Sequence, residues 1–466
     1  MCEIRIIDRN KTTTLTAESG ARLSDILTDG GFFVDMPCGA NGKCGKCALT
    51  VNGKKERVCR YIVNDDITVV LNNPENSVDG VCDEIPFDAD KKYLCLALDL
   101  GTTTLALALV STGDGKTVKT LSRSNSQRMF GADIMARIEF CRKNGVSKLQ
   151  SAVINDINRL TALFNLKAPL PLYVAGNTTM LHIFFGVDCS CLGTAPYTPV
   201  FLHSKKARGA SLGLNGVSEV ISLPCISAFA GADIAAGLNF VPAPPSGRYN
   251  MLIDLGTNAE IAIFNGTSLF CTSAAAGPCF EGANISCGMS AVEGAVYSYK
   301  SGRAQVIGGG LARGICGTGL IDAVAFLLDE KIVDRTGFMS CGEYEIANGI
   351  YLSQEDIRQF QTAKSAVFSA IRVLMKSAGV TFDEIKTVYV SGGFSQGFNV
   401  ESAVRTGLLP SQLGAKCLTA GNSSLQGTVK YACVGEKLPG FIDAAQYIDL
   451  AADAEFSKEF IANMGF

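Results

Sequence analysis

The chain has 466 residues, 47% of them hydrophobic, and a formal net charge of −3, which suits about two to four domains with sizeable buried cores. A charge so close to neutral, without a basic run, leaves no electrostatic footprint for nucleic acid or an anionic membrane. No apolar stretch reaches the ~18 residues a membrane-spanning helix needs; the longest candidate, residues 94–110, is broken by Asp99 and by Thr102, Thr103 and Thr104.

Residues 1–71 read as a small mixed domain. EIRIID predicts a strand and TTLTA its hairpin partner, Ser24 predicts the cap of a helix running through Leu27, and DDITVVL predicts a closing strand. Between helix and closing strand stand Cys38, Cys44, Cys47 and Cys59, spaced C-x5-C-x2-C-x11-C. Iron in a small cluster takes thiolates, and Gly39, Gly42 and Gly45 let the loop wrap three of them, with backbone N–H groups, around one object. Cys59 arrives from the far side of a hairpin turned at Asn52 and Gly53. The pattern resembles that of [2Fe-2S] ferredoxins, with a first gap one residue longer than the plant-type spacing. That resemblance implies a β-grasp fold and a cluster held by the four cysteines. Zinc is the alternative, but structural zinc usually takes two C-x2–4-C pairs, and Cys44 and Cys47 make one. A disulfide framework suits a secreted chain, and MCEIRIIDRN shows no apolar signal region. The expectation is a cytoplasmic protein whose remaining cysteines, of 18 in all, are reduced and mostly small core residues.

Residues 72–92, rich in Asn, Pro and acidic side chains, predict a linker. Beyond it the chain repeats itself. LCLALDLGTTTLALALV (residues 94–110) and MLIDLGTNAEIAIF (residues 251–264) each read as an apolar strand, an Asp, a Gly-containing turn and a second apolar strand, with Asp99 and Asp254 155 residues apart. Such a turn aims backbone N–H groups and the side chains of Thr102, Thr103, Thr104, Thr257 and Asn258 at phosphate oxygens, while Gly101 and Gly256 permit close approach. Asp99 and Asp254, at strand ends, suit a Mg²⁺ that keeps most of its waters and bridges phosphates. One Asp-Gly hairpin is commonplace, and any single Thr could be no more than a turn cap. Two copies flanked alike point to a duplicated phosphate-binding hairpin.

The pair resembles phosphate 1 and phosphate 2 of the ATPase superfamily that contains acetate and sugar kinases, heat-shock chaperones and actin. Three more segments resemble that superfamily in order: FAGADIAAG, with Asp233, its first connecting helix; GICGTGLIDAVAFLL, with Gly317, its second; and VYVSGGFS, with Gly392 and Gly393, its adenosine motif. The resemblance implies an α/β architecture, a two-lobed actin-like ATPase fold with lobes at 93–248 and 249–466. AAAGPCFEGANISCGM is similar to the nucleoside-holding segment of ATPase activators of radical dehydratases, which makes Glu281 a candidate ribose ligand; the alternative is a Gly-rich packing turn. Taken together, the cysteine loop, DLGTTT, AGNTTM, GADIAAG, DLGTNAE, GPCFEG and SGGF resemble the reductive activators of corrinoid proteins over essentially the whole chain. Larger relatives carry an additional linker or middle domain and sometimes C-terminal [4Fe-4S] cysteines, neither of which is visible in this sequence.

That family implies ATP-dependent passage of one electron from a [2Fe-2S] cluster to a Co(II) corrinoid protein of a methyltransferase system, fed by an external low-potential reductant. Asp99 and Asp254 would orient Mg²⁺, and Asp233, with Glu260 second, would orient the attacking water; either acid could instead be an ordinary solvated charge. A homodimer is the candidate assembly. One rival keeps the chemistry and changes the acceptor to a radical dehydratase; another is a small-molecule kinase with a redox regulatory domain. The chain is not expected to bind a corrinoid itself, since His182 and His203 lie in no D-x-H-x-x-G pattern and His182 reads as a buried, satisfied histidine. No Walker loop appears, and VIGGGLARG fails the dinucleotide fingerprint.

Overall fold

A computed structural model describes residues 1–8, 11–32, 34, 36, 40, 42, 47–71, 79–81, 93–392 and 397–466. The N-terminal part builds a five-stranded sheet in the order Lys11–Ala17, Cys2–Asp8, Ile67–Leu71, Ala48–Val51, Lys54–Arg57. Its outer pairs are antiparallel, but Cys2–Asp8 and Ile67–Leu71 run parallel, so the chain must cross over between them, and the helix Leu23–Asp29 lies in that crossover. Alternation along the strands buries Ile4, Ile6 and Val69 completely. Asn52 and Gly53 turn the predicted hairpin, both at positive φ (48° and 80°). The expected Ser24 cap is not formed. The helix begins at Leu23, and the backbone N–H groups of Leu23 and Ser24 donate to the carbonyls of Tyr61 and Val58. Those partners satisfy the first turn, so Ser24 is free to donate to Asp25 instead.

Two larger sheets carry the duplication into three dimensions. In the first, Val217–Ser222, Leu170–Gly176, Leu94–Leu100, Thr104–Ser111 and Lys116–Ser124 are successive neighbours. In the second the same places are taken by Cys417–Gly421, Ile385–Ser391, Tyr249–Leu255, Ala259–Phe264 and Leu269–Ala274. Each Asp-bearing strand is antiparallel to the strand after its turn and parallel to the strand on its other side. Buried on both faces, these central strands read as continuous apolar runs, which is why they stand out in the sequence. Residues 79–81, within the predicted linker, add a short edge strand to the first sheet by pairing with Lys116–Ser124.

The helix that follows each fifth strand, Ala232–Phe240 in one repeat and Ser423–Cys433 in the other, packs against its counterpart. A Cβ on Gly427 would stand 1.7 Å from the Ala236 carbonyl oxygen, so only glycine permits this approach. Each helix also covers the other repeat's sheet. Ile234 and Leu238 are buried with Leu252, Ala262 and Phe264, while Leu425 and Val429 are buried with Cys95, Ala97, Ala106 and Ala108. The N-terminal sheet, in turn, shares a core with the first repeat: Leu23, Leu27 and Val34 belong to the same buried cluster as Phe130, Ile138 and Leu149. Among the described residues no helix is long and apolar enough to cross a membrane.

Candidate functional site

The two Asp-Gly turns face one another across a cleft of about 140 Å³ between the large sheets. Its lining gathers Asp99, Gly101, Thr102, Thr103, Thr104, Asp233, Asp254, Gly256, Thr257, Asn258, Glu260, Glu281 and Gly392, all but two of the positions singled out for nucleotide, Mg²⁺ or hydrolysis. Gly317 does not join them. It starts the helix Gly317–Asp329, where a Cβ would meet the Phe280 carbonyl oxygen at 2.0 Å, so it packs behind the turn that carries Glu281. Gly393 lies outside the described residues. Gly392, at φ 126°, closes on the Leu255 carbonyl oxygen, which a Cβ would approach to 2.2 Å.

Strand pairing sets the acids. Asp99 stands opposite Ala175 and Asp254 opposite Ser391, each one residue from its strand's end, so both carboxylates emerge where the parallel strands stop. Asp254 pairs across the ladder with Glu260, and Asp233 sits in the first turn of Ala232–Phe240 with its own carboxylate accepting from the Ile234 N–H at 2.8 Å. Asp99 accepts from Asn422 Nδ2 at 2.7 Å and Ser424 Oγ at 2.8 Å, both at the start of the opposite helix. The turn backbone is held from below: Asn125 Nδ2 donates to the Gly101 carbonyl at 2.9 Å, and Arg137 Nη2 to that of Thr102 at 2.6 Å. Asn177 Nδ2 donates to Thr102 Oγ1 at 3.1 Å.

Burial among like charges dominates the electrostatics. Loss of solvent, then the charges of Asp233 and Asp99, push Asp254 up to about 8; loss of solvent and the Asp99 charge push Asp233 to about 7. Glu260 is raised well above the usual carboxylate range, by burial and then by Asp233 and Asp254. Burial raises Asp99 as well, opposed by Asn422 and Ser424, which stabilise its anion. Crowded acids of this kind lower their free energy by gathering round a cation. Among the described residues no three His, Cys, Asp or Glu side chains converge to hold a metal directly.

Glu281, expected beside a ribose, is found on the two turns themselves. Its Oε2 accepts from Thr103 Oγ1 at 3.1 Å and, at shorter range, from Thr257 Oγ1; the two hydroxyl oxygens are 3.3 Å apart.

Of the four loop cysteines, Cys38 and Cys44 lie outside the described residues. Cys47 and Cys59 are buried with Sγ atoms 3.1 Å apart, so the hairpin does bring the fourth cysteine onto the loop. His182 is fully buried, its Nδ1 2.7 Å from the Thr178 carbonyl oxygen and its Nε2 accepting from the Val200 N–H at 3.0 Å; it has no capacity left for a ligand.

Asn177, within the AGNTTM segment but given no role there, lines the cleft together with Asn422 and Ser424, which the sequence reading had passed over. For the latter two a signal existed: AGNSSLQG (residues 420–427) repeats the spacing of AGADIAAG (residues 230–237), an Ala-Gly pair with another glycine six residues on.

Two family profiles match the chain: the "RACo middle region" over residues 94–241 and the "C-terminal domain of RACo the ASKHA domain" over residues 248–466. The "Corrinoid activation enzyme RamQ" of Eubacterium limosum is 27% identical, with 95% of this chain and 96% of that protein covered. A reductase named for the Co(II) methylated amine-specific corrinoid protein, from Methanosarcina barkeri, is 24% identical over 80% of this chain and 76% of its own. Among solved structures, a "Reductive activator for corrinoid,iron-sulfur protein" has the same fold, with a TM-score of 0.74 at 24% identity, covering 100% of this chain and 98% of that one. These matches correct the expectation that a middle domain is missing. The middle region of the family is residues 94–241, the first half of the duplicated fold.

Proposed function

We propose, because this chain belongs to the RACo family, that it is an ATP-dependent reductive activator of a corrinoid protein, returning an inactive Co(II) corrinoid to Co(I) by supplying one electron. The observation that carries the reading is the conjunction, in one chain, of a cleft between duplicated phosphate turns and a pair of buried cysteines from the ferredoxin-like loop.

The residues fit the groups this function requires. Converging Cys47 and Cys59, with Cys38 and Cys44 in the same loop, make a thiolate set for a [2Fe-2S] cluster on a β-grasp domain spanning 1–71. When bound, that cluster is the one-electron carrier. Thr102, Thr103, Thr104, Thr257 and Asn258 would donate hydrogen bonds to phosphate oxygens, with Gly101, Gly256 and Gly392 giving the backbone room. Asp99 and Asp254 would hold Mg²⁺ through its waters. Asp233, freed from its proton by that charge, would orient the attacking water, with Glu260 behind it. Lobes of residues 93–248 and 249–466 would close on the nucleotide, and closure would favour one arrangement of the docked N-terminal domain. Nucleotide can drive an uphill electron only through such differential binding: a shortfall of about 100 mV is roughly 2.4 kcal/mol for one electron. We place the protein in the cytoplasm, with an external low-potential reductant and a corrinoid protein of a methyltransferase system as its partners, and with a homodimer as its candidate assembly.

The test is anaerobic. Purified protein, reductant, MgATP and a Co(II) corrinoid protein encoded nearby are mixed and the cobalt absorption is followed. Conversion to Co(I) that requires ATP is the expected result; no such conversion with any candidate corrinoid protein would sink the reading.

A further inference from the structure

The carboxylate of Glu281 makes an arrangement that the proposed reaction does not use. A single oxygen, Oε2, receives a hydroxyl from each Asp-Gly turn, Thr103 in the first repeat and Thr257 in the second. Two hydroxyls converging on one anionic oxygen is what a phosphate oxygen would find between these turns. Burial raises the Glu281 carboxyl above its usual range, and the Thr257 and Thr103 hydroxyls, then the charges of Arg128 and Arg137, oppose that by stabilising its anion. The carboxylate can swing away on its own side-chain bonds, while Cys279 and Phe280 beside it stay buried. Glu281 ends the short turn Pro278–Glu281, which is entered through Gly277 at φ 79°, a glycine with no atom within 4 Å of where a Cβ would be.

We propose that Glu281 is an internal substitute for the terminal phosphoryl group of the nucleotide. In the nucleotide-free protein it ties the two turns together, and it has to leave when a triphosphate enters. The inference rests on the nucleotide reading of the cleft and adds a selectivity to it. In this arrangement the nucleoside lies by Gly392 and the last phosphoryl group lies where Thr103 and Thr257 meet, their hydroxyl oxygens 3.3 Å apart. A diphosphate stops short and leaves Glu281 seated; a triphosphate and a seated Glu281 would put two anions on one point. Displacing Glu281 therefore becomes the step by which the protein tells ATP from ADP.

The experiment is calorimetric titration of the full-length protein with Mg²⁺ and either ADP or a non-hydrolysable ATP analogue, for wild type, Glu281→Gln and Glu281→Ala. Removing the competitor is expected to tighten the triphosphate analogue about tenfold in Glu281→Ala and about threefold in Glu281→Gln, whose amide oxygen still accepts, with ADP changed less than about twofold. In the same proteins the nucleotide-free melting temperature should fall in the order wild type, Gln, Ala. Weaker triphosphate binding in the variants would overturn the proposal and make Glu281 a nucleotide ligand; equal gains for ADP and triphosphate, or no change in either, would overturn it as well. Absence of binding by wild type and variants alike would overturn the nucleotide reading instead. Should Glu281→Ala fail to fold, the Gln variant alone decides by the sign of its change.

Discussion

Asp233 and Asp254 keep their protons up to about 7 and about 8, whereas in an unfolded chain both would release them near 3.8. Between those values the folded state binds more protons than the unfolded one, so stability falls as pH rises. The nucleotide-free protein should accordingly melt lower at about pH 8 than at about pH 5, and the stabilisation by Mg-nucleotide should be larger at the higher pH, because the cation proposed for this site would take the place of the protons. A melting series at the two pH values, with and without Mg-nucleotide, checks both signs. Asp254→Asn should relieve the repulsion and abolish the cation's purpose together: a nucleotide-free protein at least as stable as wild type at pH 8, with ATP hydrolysis reduced about a hundredfold or more. At this scale the sequence was most legible where a residue sits in a recurring motif, as Asp99 and Asp254 do. Asn125 and Arg137, which grip the turn carbonyls of Gly101 and Thr102, carry no such signal, since any polar side chain brought there by the fold could serve.

Between elements the decisive contact is that of Ala232–Phe240 with Ser423–Cys433. Gly427→Ala would force a methyl group against the Ala236 backbone, and overpacking of this kind costs about 1–3 kcal/mol or more. Thermal denaturation of the variant should show that loss, together with weaker nucleotide binding, because Asn422 and Ser424 are carried by the same helix to Asp99. The duplicated hairpins were readable because an Asp and a Gly punctuate an otherwise unbroken apolar run. The exchange of helices between repeats was not, since a buried apolar helix looks the same whichever sheet it covers. Ser24 taught a smaller version of the same thing: a cap was the local expectation, and backbone carbonyls from residues 58 and 61 supplied the bonds instead.

For the whole molecule, the shared core between the N-terminal sheet and the first repeat matters more than the ion pair beside it. Lys148 and Asp29 are 2.9 Å apart with both side chains more than half exposed, so Lys148→Glu should shift stability by less than about 1 kcal/mol. Phe130, buried in the shared cluster and 4.7 Å from the Phe140 ring, should cost about 3–5 kcal/mol when cut to Ala. Chemical denaturation of the two variants side by side measures the contrast. That the N-terminal sheet shares a core with the first repeat was not visible in the sequence, because Met129, Phe130 and Ile138 sit in a segment with no strong pattern of its own.

The exchanged helices also set an order of birth. Leu425 and Val429 complete the face of the sheet built from Cys95, Ala97, Ala106, Ala108 and Val110, yet 315 residues separate Val110 from Leu425. During synthesis the first repeat therefore emerges with one side of its sheet bare, and it stays so until nearly the whole chain has been made. Closing so distant a contact is slow, and the exposed apolar side is an aggregation hazard for as long as it waits. A nascent chain halted before residue 423 should be held by chaperones and bind hydrophobic dyes, whereas the finished protein should do neither.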